Sequence, residues 1–145
     1  MSYLKNFMGS KNSILFVKSE KYLAGPSFNL TSTLSMNGYS VEIADSQEIE
    51  SVTAQYSPAL AIAMLPGLPE SDLQVCYQLL RLIRVPIIAI SSFDDSDCRI
   101  NAFEAGIADF LVSPVNPLEL VARVRNILGR RFEINSIQKE PLFTN

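Results

Sequence analysis

Carboxylates, hydroxyls and two thiols are among the side chains of this chain that could do chemistry. The sequence contains no histidine. Triads, general bases and metal sites that depend on imidazole are therefore excluded. Cys76 and Cys98 lie in separate helix-like segments and lack the close spacing of a zinc site, so we expect two free, buried thiols. Carboxylates remain as candidates, since a hard cation prefers oxygen ligands and an ionised oxygen can act as a nucleophile.

The elements that would position such groups alternate strictly between strand and helix. Short apolar runs predict strands at 13–17, 39–44, 59–65, 85–91 and 109–112. Helical spacing and capping residues predict helices at 26–37, 46–56 (capped by Ser46), from a cap at Ser71 or Asp72 through Leu80, at 94–105, and from Pro117 to about Arg130. This order predicts an α/β fold, a three-layer α/β/α sandwich with a five-stranded parallel sheet, whose ligand chemistry lies at the carboxyl ends of the strands.

Length and charge limit the classes of protein that fit. A chain of 145 residues suits one domain, and 12 basic against 15 acidic residues give a net charge of −3, which disfavours direct nucleic-acid binding by this domain. Neither a membrane-spanning run nor a signal peptide is apparent, so we expect a cytoplasmic protein with no membrane partner. We divide the chain into a polar leader (1–12), a folded domain (13–131) and a linker without clear periodicity (132–145).

Two long segments carry a resemblance to a known family. VPIIAISSFDDSDCRINAFEAGIADFLVSPVNPLELVARVRNILGRR and PALAIAMLPGLPESDLQVC are similar to the receiver domain of bacterial two-component response regulators of the OmpR/PhoB type. The resemblance covers 14–131 and implies the flavodoxin-like, CheY-like topology. It also implies that 132–145 leads to a winged-helix DNA-binding domain that is absent from this sequence.

The phosphorylation chemistry that the resemblance implies is not supported by the residues present. Receivers hold magnesium between acids at the ends of strands one and three, and a strand-three aspartate accepts the phosphoryl group. Here the aspartate position is occupied by Met64, the acidic pair by Lys18 and Ser19, and the strand-five lysine by Ser113. We therefore expect no catalytic residue, no metal site and no cofactor.

Part of the pocket and of the switch is retained. Ser91 corresponds to the strand-four hydroxyl and Phe110 to the aromatic that rotates on activation, while Lys18, Glu20 and Met64 form a degenerate pocket. The Lys18 ammonium could stand where the metal would sit, with Glu20 as its partner. Extra residues at 21–26 crowd the mouth of this pocket, which could be filled or could bind something new.

Charges of the family's dimer interface are better preserved than its catalytic acids. Receivers of this type dimerise through the fourth helix, fifth strand and fifth helix, and the matching charges here are Arg99, Asp109, Glu119 and Arg123. Glu119 and Arg123 are four residues apart and share one helix face. We expect these four residues to pair across a homodimer interface.

The sequence is compatible with three functions. The leading hypothesis is a non-enzymatic pseudo-receiver of a DNA-binding response regulator, which dimerises without phosphorylation and contacts DNA only through the absent domain. The alternative is a stand-alone pseudo-receiver that binds a protein partner or small ligand. A flavodoxin-like enzyme is the weakest hypothesis, because no Gly-rich phosphate loop follows any strand.

Overall fold

Strands and helices alternate along the computed structural model, which describes residues 11–19 and 27–139. In chain order the elements are β1 (Ser13–Lys18), α1 (Ser27–Met36), β2 (Ser40–Asp45), a 3-10 turn (Ser46–Glu48) running into α2 (Ile49–Thr53), β3 (Leu60–Met64), α3 (Pro69–Leu82), β4 (Ile87–Ser91), α4 (Ser96–Ala105), β5 (Asp109–Val112) and α5 (Pro117–Lys139).

The five strands form one parallel sheet in the order β2-β1-β3-β4-β5. The predicted three-layer architecture is confirmed. The strand with alternating polar residues, β2, lies at an edge, while β3 and β4 lie inside the sheet and are buried along their whole length. Their carboxyl ends meet at one edge of the sheet, where the predicted site residues lie.

Side chains alternate between two cores, one on each face of the sheet. Leu15, Ala63 and Ala89 belong to the core beneath α2, α3 and α4, whereas Phe16, Met64 and Ile90 belong to the core beneath α1 and α5. This is the period of two that a strand imposes on its side chains. A residue's position in its strand therefore decides which group of helices it contacts.

The beginnings of α2 and α3 differ from the prediction. Asp45, not Ser46, precedes the first turn of the second helical segment, and its N–H donates to Glu48 Oε1 at 2.9 Å, a pairing that the three-residue spacing favours. The α-helix ends at Thr53, before Tyr56. The third helix begins at Pro69, a residue suited to a first helical turn, so neither Ser71 nor Asp72 precedes it as a cap.

The last two helices also differ in their bounds. Asp95 caps α4 by accepting a hydrogen bond from the Cys98 N–H at 3.0 Å, so the helix begins two residues after the predicted Asp94. Helix α5 continues to Lys139, well beyond Arg130, because the intervening residues include no proline and Pro141 comes only later. No helix within 11–19 and 27–139 is long and apolar enough to cross a membrane.

Candidate functional site

The residues predicted to replace the acidic pair and the phosphoacceptor lie together at the carboxyl ends of β1 and β3. Lys18 is the register partner of Met64, and the Ser19 N–H donates to the Met64 carbonyl at 3.2 Å. The expected proximity of Lys18, Ser19 and Met64 is therefore present. Glu20 and the segment 21–26 lie outside the described residues.

Met64 is a core residue in this structure. Its side chain is 2% exposed and belongs to the cluster that includes Phe16, Ile90 and Leu120. A thioether is a weak acceptor and an adaptable apolar group, and here it fills space between the sheet and the helices that cover that face. It offers neither a nucleophilic oxygen nor a ligand for a hard cation.

The donor set at this edge does not suit magnesium. An octahedral Mg²⁺ site requires oxygen ligands, normally including carboxylates, whereas the described residues at the ends of β1 and β3, Lys18, Ser19 and Met64, carry an ammonium, a hydroxyl and a buried thioether. Among the described residues, no group of three or more His, Cys, Asp or Glu side chains could hold a metal ion.

Ser91 is the last residue of β4, and its hydroxyl is hydrogen-bonded to the carboxylate of Asp72, which the sequence predicted only as a possible helix cap. The Ser91 hydroxyl donates to Asp72 Oδ2 at 2.5 Å and accepts from the Phe93 N–H at 3.0 Å. Ser91 and Asp72 are each 1% exposed. Ser91 therefore faces α3, whereas Met64 faces the opposite core, and these two site residues do not share a pocket.

Asp72 was predicted only as a possible helix cap, and the structure shows a different position. It lies inside α3 on the buried face that also carries Cys76 and Leu79. Its Oδ1 accepts from the N–H groups of Gly67 and Leu68 at 2.7 and 3.2 Å. The sequence does contain a signal for this placement, since Asp72 precedes Cys76 by four residues and so shares the apolar face of the helix.

The loops after β3 and β4 approach each other closely. Gly67 has φ +97°, and a Cβ atom at this position would lie 2.4 Å from Ser92 Oγ. The positive φ favours glycine, and the Ser92 hydroxyl would have to move to admit a Cβ atom here. At the end of β5, the Ser113 N–H donates to the Ser91 carbonyl at 2.7 Å, and the Ser113–Pro114 peptide bond is cis.

Phe110, the second predicted switch residue, is 7% exposed. It packs in the core beneath α4 together with Cys98, Ala102 and Ile107. Both retained switch residues are thus buried on the same side of the sheet, Ser91 against α3 and Phe110 near α4.

The two thiols are free and buried, as expected. Burial raises the pKa of Cys76 to about 12, and the negative charges of Cys98 and Asp72 act in the same direction. Burial is also the largest cause of the raised pKa of Cys98, to which Asp72 and Asp95 contribute. Low exposure and high pKa together disfavour thiolate chemistry at neutral pH.

The predicted interface charges form ion pairs within the chain. Arg123 donates to Asp109 Oδ2 and to Glu119 Oε2, each at 3.0 Å, and the hydrogen bond to Glu119 is the main cause of its raised pKa. Arg99 pairs with Asp94 in the loop before α4. The structure thus brings Asp109, Glu119 and Arg123 together, while Arg99 has a separate partner.

Exposed apolar side chains lie on the same two helices as these charges. Ile100 and Phe103 on α4 are 54% and 44% exposed, and Leu118 on α5 is 66% exposed. The two helices flank the edge strand β5 from opposite faces of the sheet. We define the α4–β5–α5 face as Ile100, Phe103 and Leu118 with the charges Arg99, Asp109, Glu119 and Arg123.

Comparison with known proteins identifies the class. No family model matches the chain. A protein of Porphyridium aerugineum named "Probable transcriptional regulator ycf27" is 37% identical over 104 residues, which cover 70% of this chain and 42% of that protein. "Response regulator MprA" of Mycobacterium leprae is 36% identical over 106 residues, covering 70% of this chain and 46% of that protein.

A solved structure shows the same fold. The N-terminal receiver domain of RstA from Klebsiella pneumoniae aligns with a TM-score of 0.64 at 24% identity, covering 81% of this chain and 98% of that one. The chain therefore has the CheY-like receiver fold, and its homologues are OmpR/PhoB-type response regulators. It spans less than half the length of the curated relatives named above.

Proposed function

We propose that this chain is a non-catalytic pseudo-receiver domain of an OmpR/PhoB-type DNA-binding response regulator, and that it dimerises without phosphorylation through the α4–β5–α5 face. The observation that carries this proposal is Met64 at the carboxyl end of β3, buried in the core and paired in register with Lys18. Phosphoryl transfer to this position would need an oxygen nucleophile and a cation to neutralise charge on the phosphoryl oxygens. The chain offers a thioether and an ammonium instead.

A regulator that cannot be phosphorylated needs another basis for its output. Two DNA-binding domains are brought together when their receivers dimerise, and a two-fold interface uses each contact twice. A receiver that dimerises constitutively needs its interface residues but not its catalytic acids, and this chain has the former without the latter.

Apolar side chains would provide most of the affinity on the α4–β5–α5 face. Ile100 and Phe103 are three residues apart on α4 and so lie on one side of that helix, and Leu118 is exposed near the beginning of α5. Burial of exposed apolar area stabilises an interface, whereas charges near its rim mainly determine register and partner choice.

The fork made by Arg123 with Asp109 and Glu119 prepares these charges for such a role. Each ion pair is 3.0 Å long within one chain, so the guanidinium is already held between two carboxylates. A second chain would contact an ordered, mixed-charge surface rather than mobile side chains, which lowers the entropy lost on association. Arg99 adds one further positive charge from α4.

We extend the proposal to the rest of the protein, and the relatives support this extension. They are transcriptional response regulators of more than twice the matched length. We assign 1–12 as a leader, 13–131 as the receiver-like domain and 132–145 as the connection to a winged-helix domain that contacts DNA. The first part of that connection, through Lys139, continues α5. The protein would act in the cytoplasm.

Sedimentation velocity of the purified chain tests the proposed interface. Wild type should form a concentration-dependent dimer. Leu118→Lys should raise the dimer dissociation constant by about tenfold or more, because it places a charge at an apolar contact of the interface, and a few such contacts carry most of the binding energy. Met36→Lys is the matched control, because Met36 is an 84% exposed aliphatic residue at the end of α1, a helix that is not part of this face.

A charge reversal tests the role of the fork. Arg123→Glu should weaken dimerisation, and the added Asp109→Arg should restore part of the loss by recreating an opposite-charge pair. A wild type that stays monomeric at high micromolar concentration would contradict the proposal and would favour the alternative, a stand-alone pseudo-receiver that binds a protein partner or small ligand.

A further inference from the structure

Asp72 is an acidic residue buried at the centre of a hydrogen-bond network that the proposed function does not use. Its two oxygens accept three hydrogen bonds, from Gly67 N–H, Leu68 N–H and the Ser91 hydroxyl. Burying a carboxylate is costly unless its oxygens are bonded in this way. An acid 1% exposed within a helix is thus fixed to the loop after β3 and to the end of β4.

The network continues from Asp72 to the beginning of α4. Ser91 Oγ, which donates to Asp72, also accepts from the Phe93 N–H at 3.0 Å. The Ser91 carbonyl accepts from the Ser113 N–H at the end of β5. Through one serine, the carboxylate is connected both to the turn that leads into α4 and to the strand beside it.

We propose that Asp72 is an internal anion that fixes the β4–α4 turn in one conformation, so that the position of α4 does not depend on an anion added from outside. The inference deepens the proposed function and rests on it for the consequence at the dimer face, because α4 carries Arg99, Ile100 and Phe103. Asp72 is a positioning residue that acts through Ser91.

The hydrogen-bond donors at this position are already occupied by a carboxylate of the chain itself. The two backbone N–H groups and the Ser91 hydroxyl converge on the Asp72 carboxylate, and the loops that carry them meet at Gly67 and Ser92. In the part of the chain that the structure describes, no buried side-chain polar atom lacks a hydrogen-bond partner. The anion position is thus already satisfied.

Amide hydrogen exchange on the whole chain, at a concentration where it is monomeric, tests the proposal without reference to dimerisation. Asp72→Asn should increase exchange of the Phe93 and Cys98 amides by about tenfold or more, since the turn loses its charged anchor, while core amides of β1 change much less. The matched control is Asp97→Asn, which removes the same charge from an exposed residue of α4.

Chemical rescue provides the second readout. Asp72→Ala leaves the three donors facing a space the size of a small carboxylate, so sodium formate should raise its melting temperature more than sodium chloride of equal concentration does. The double variant Asp72→Ala/Ser91→Ala lacks one donor and should respond less to formate. If Asp72→Ala does not fold, the exchange experiment on Asp72→Asn decides the question.

Unchanged exchange rates of the Phe93 and Cys98 amides in Asp72→Asn would overturn the proposal. Equal changes of these rates in Asp72→Asn and in the control Asp97→Asn would also overturn it. Equal formate responses in the single and double alanine variants would also overturn it. A monomeric wild type with the predicted exchange result would contradict the proposed dimer while supporting the role of Asp72, so the two failures are distinguishable.

Discussion

Lys18 and Met64 are register partners at the carboxyl ends of β1 and β3, and the alternation of each strand directs both side chains toward the same face of the sheet. In the receiver fold this edge is where phosphoryl chemistry takes place. The proposed function rests on this pair, because neither an ammonium nor a buried thioether is an oxygen nucleophile or a ligand for a hard cation.

The chain should therefore be inert to small-molecule phosphodonors. Incubation with acetyl phosphate and magnesium, followed by intact mass measurement, should show no phosphoryl adduct. A receiver that retains its strand-three aspartate serves as the positive control. An acid-labile adduct on any aspartate of this chain would contradict the assignment of Met64.

Met64→Asp should lower the free energy of unfolding without creating a phosphorylation site. An introduced carboxylate in this core would be desolvated, which costs a few kcal/mol, about 2–4. Met64→Leu is the control for shape and should cost less than about 1.5 kcal/mol. Urea denaturation of both variants measures the difference. Equal stabilities, together with rapid labelling of Met64→Asp, would show that the pocket can still accept a phosphoryl group.

Stability should fall at alkaline pH partly because of Cys76. Burial raises the pKa of this thiol from its ordinary value of 9.0 to about 12, so the unfolded chain releases the proton first. Its contribution to folding is complete below pH 9 and is lost as the pH rises toward 12, with a limiting slope of about 1.4 kcal/mol per pH unit. Between pH 8 and pH 10 the loss from this residue should be about 1.4 kcal/mol.

Urea denaturation of wild type and Cys76→Ala at the two pH values isolates this contribution, because every other titrating group is shared by both chains. The variant should lose less stability between pH 8 and pH 10 than wild type does. Identical pH dependence in the two chains would mean that the Cys76 thiol is not shielded as the structure indicates.

Gly67 and Gly129 should respond in opposite directions to alanine. Gly67→Ala introduces a Cβ 2.4 Å from Ser92 Oγ at a backbone φ of +97°, and should destabilise the fold by about 1 kcal/mol or more. Gly129 lies in α5, and an added Cβ would meet no described atom within 4 Å apart from the helix's own backbone and the adjacent residues, so Gly129→Ala should stabilise the helix by about 0.5–1 kcal/mol. Two thermal unfolding curves decide between this result and equal effects at both positions.

The fold was predictable because hydrophobic periodicity determines it. The apolar runs at 13–17, 59–65 and 85–91 are the three interior strands of the sheet, and the alternating run at 39–44 is an edge strand. The bounds of the last helix could not be predicted from periodicity. Residues 131–139 show no clear apolar period, yet they continue α5, and neither proline nor glycine interrupts the helix in this stretch.

The site was predicted in part. Strand register placed Lys18 and Met64 together, since residues at the same end of neighbouring parallel strands must meet. The contact between Asp72 and Ser91 was not anticipated, because it depends on the rotation of α3 about its axis and on where Pro69 begins the helix. The pairing of Arg123 with both Asp109 and Glu119 also required coordinates, although the four-residue spacing of Glu119 and Arg123 indicated half of it.

In the proposed function, dimerisation does not depend on phosphorylation. The most direct test of this independence is the dimer dissociation constant from sedimentation velocity, measured with and without acetyl phosphate and magnesium at constant ionic strength. We predict a measurable dimer with the same dissociation constant in both conditions. A dimer that forms only with the phosphodonor would contradict the proposed function. So would a dissociation constant about tenfold lower in its presence, a difference of about 1.4 kcal/mol.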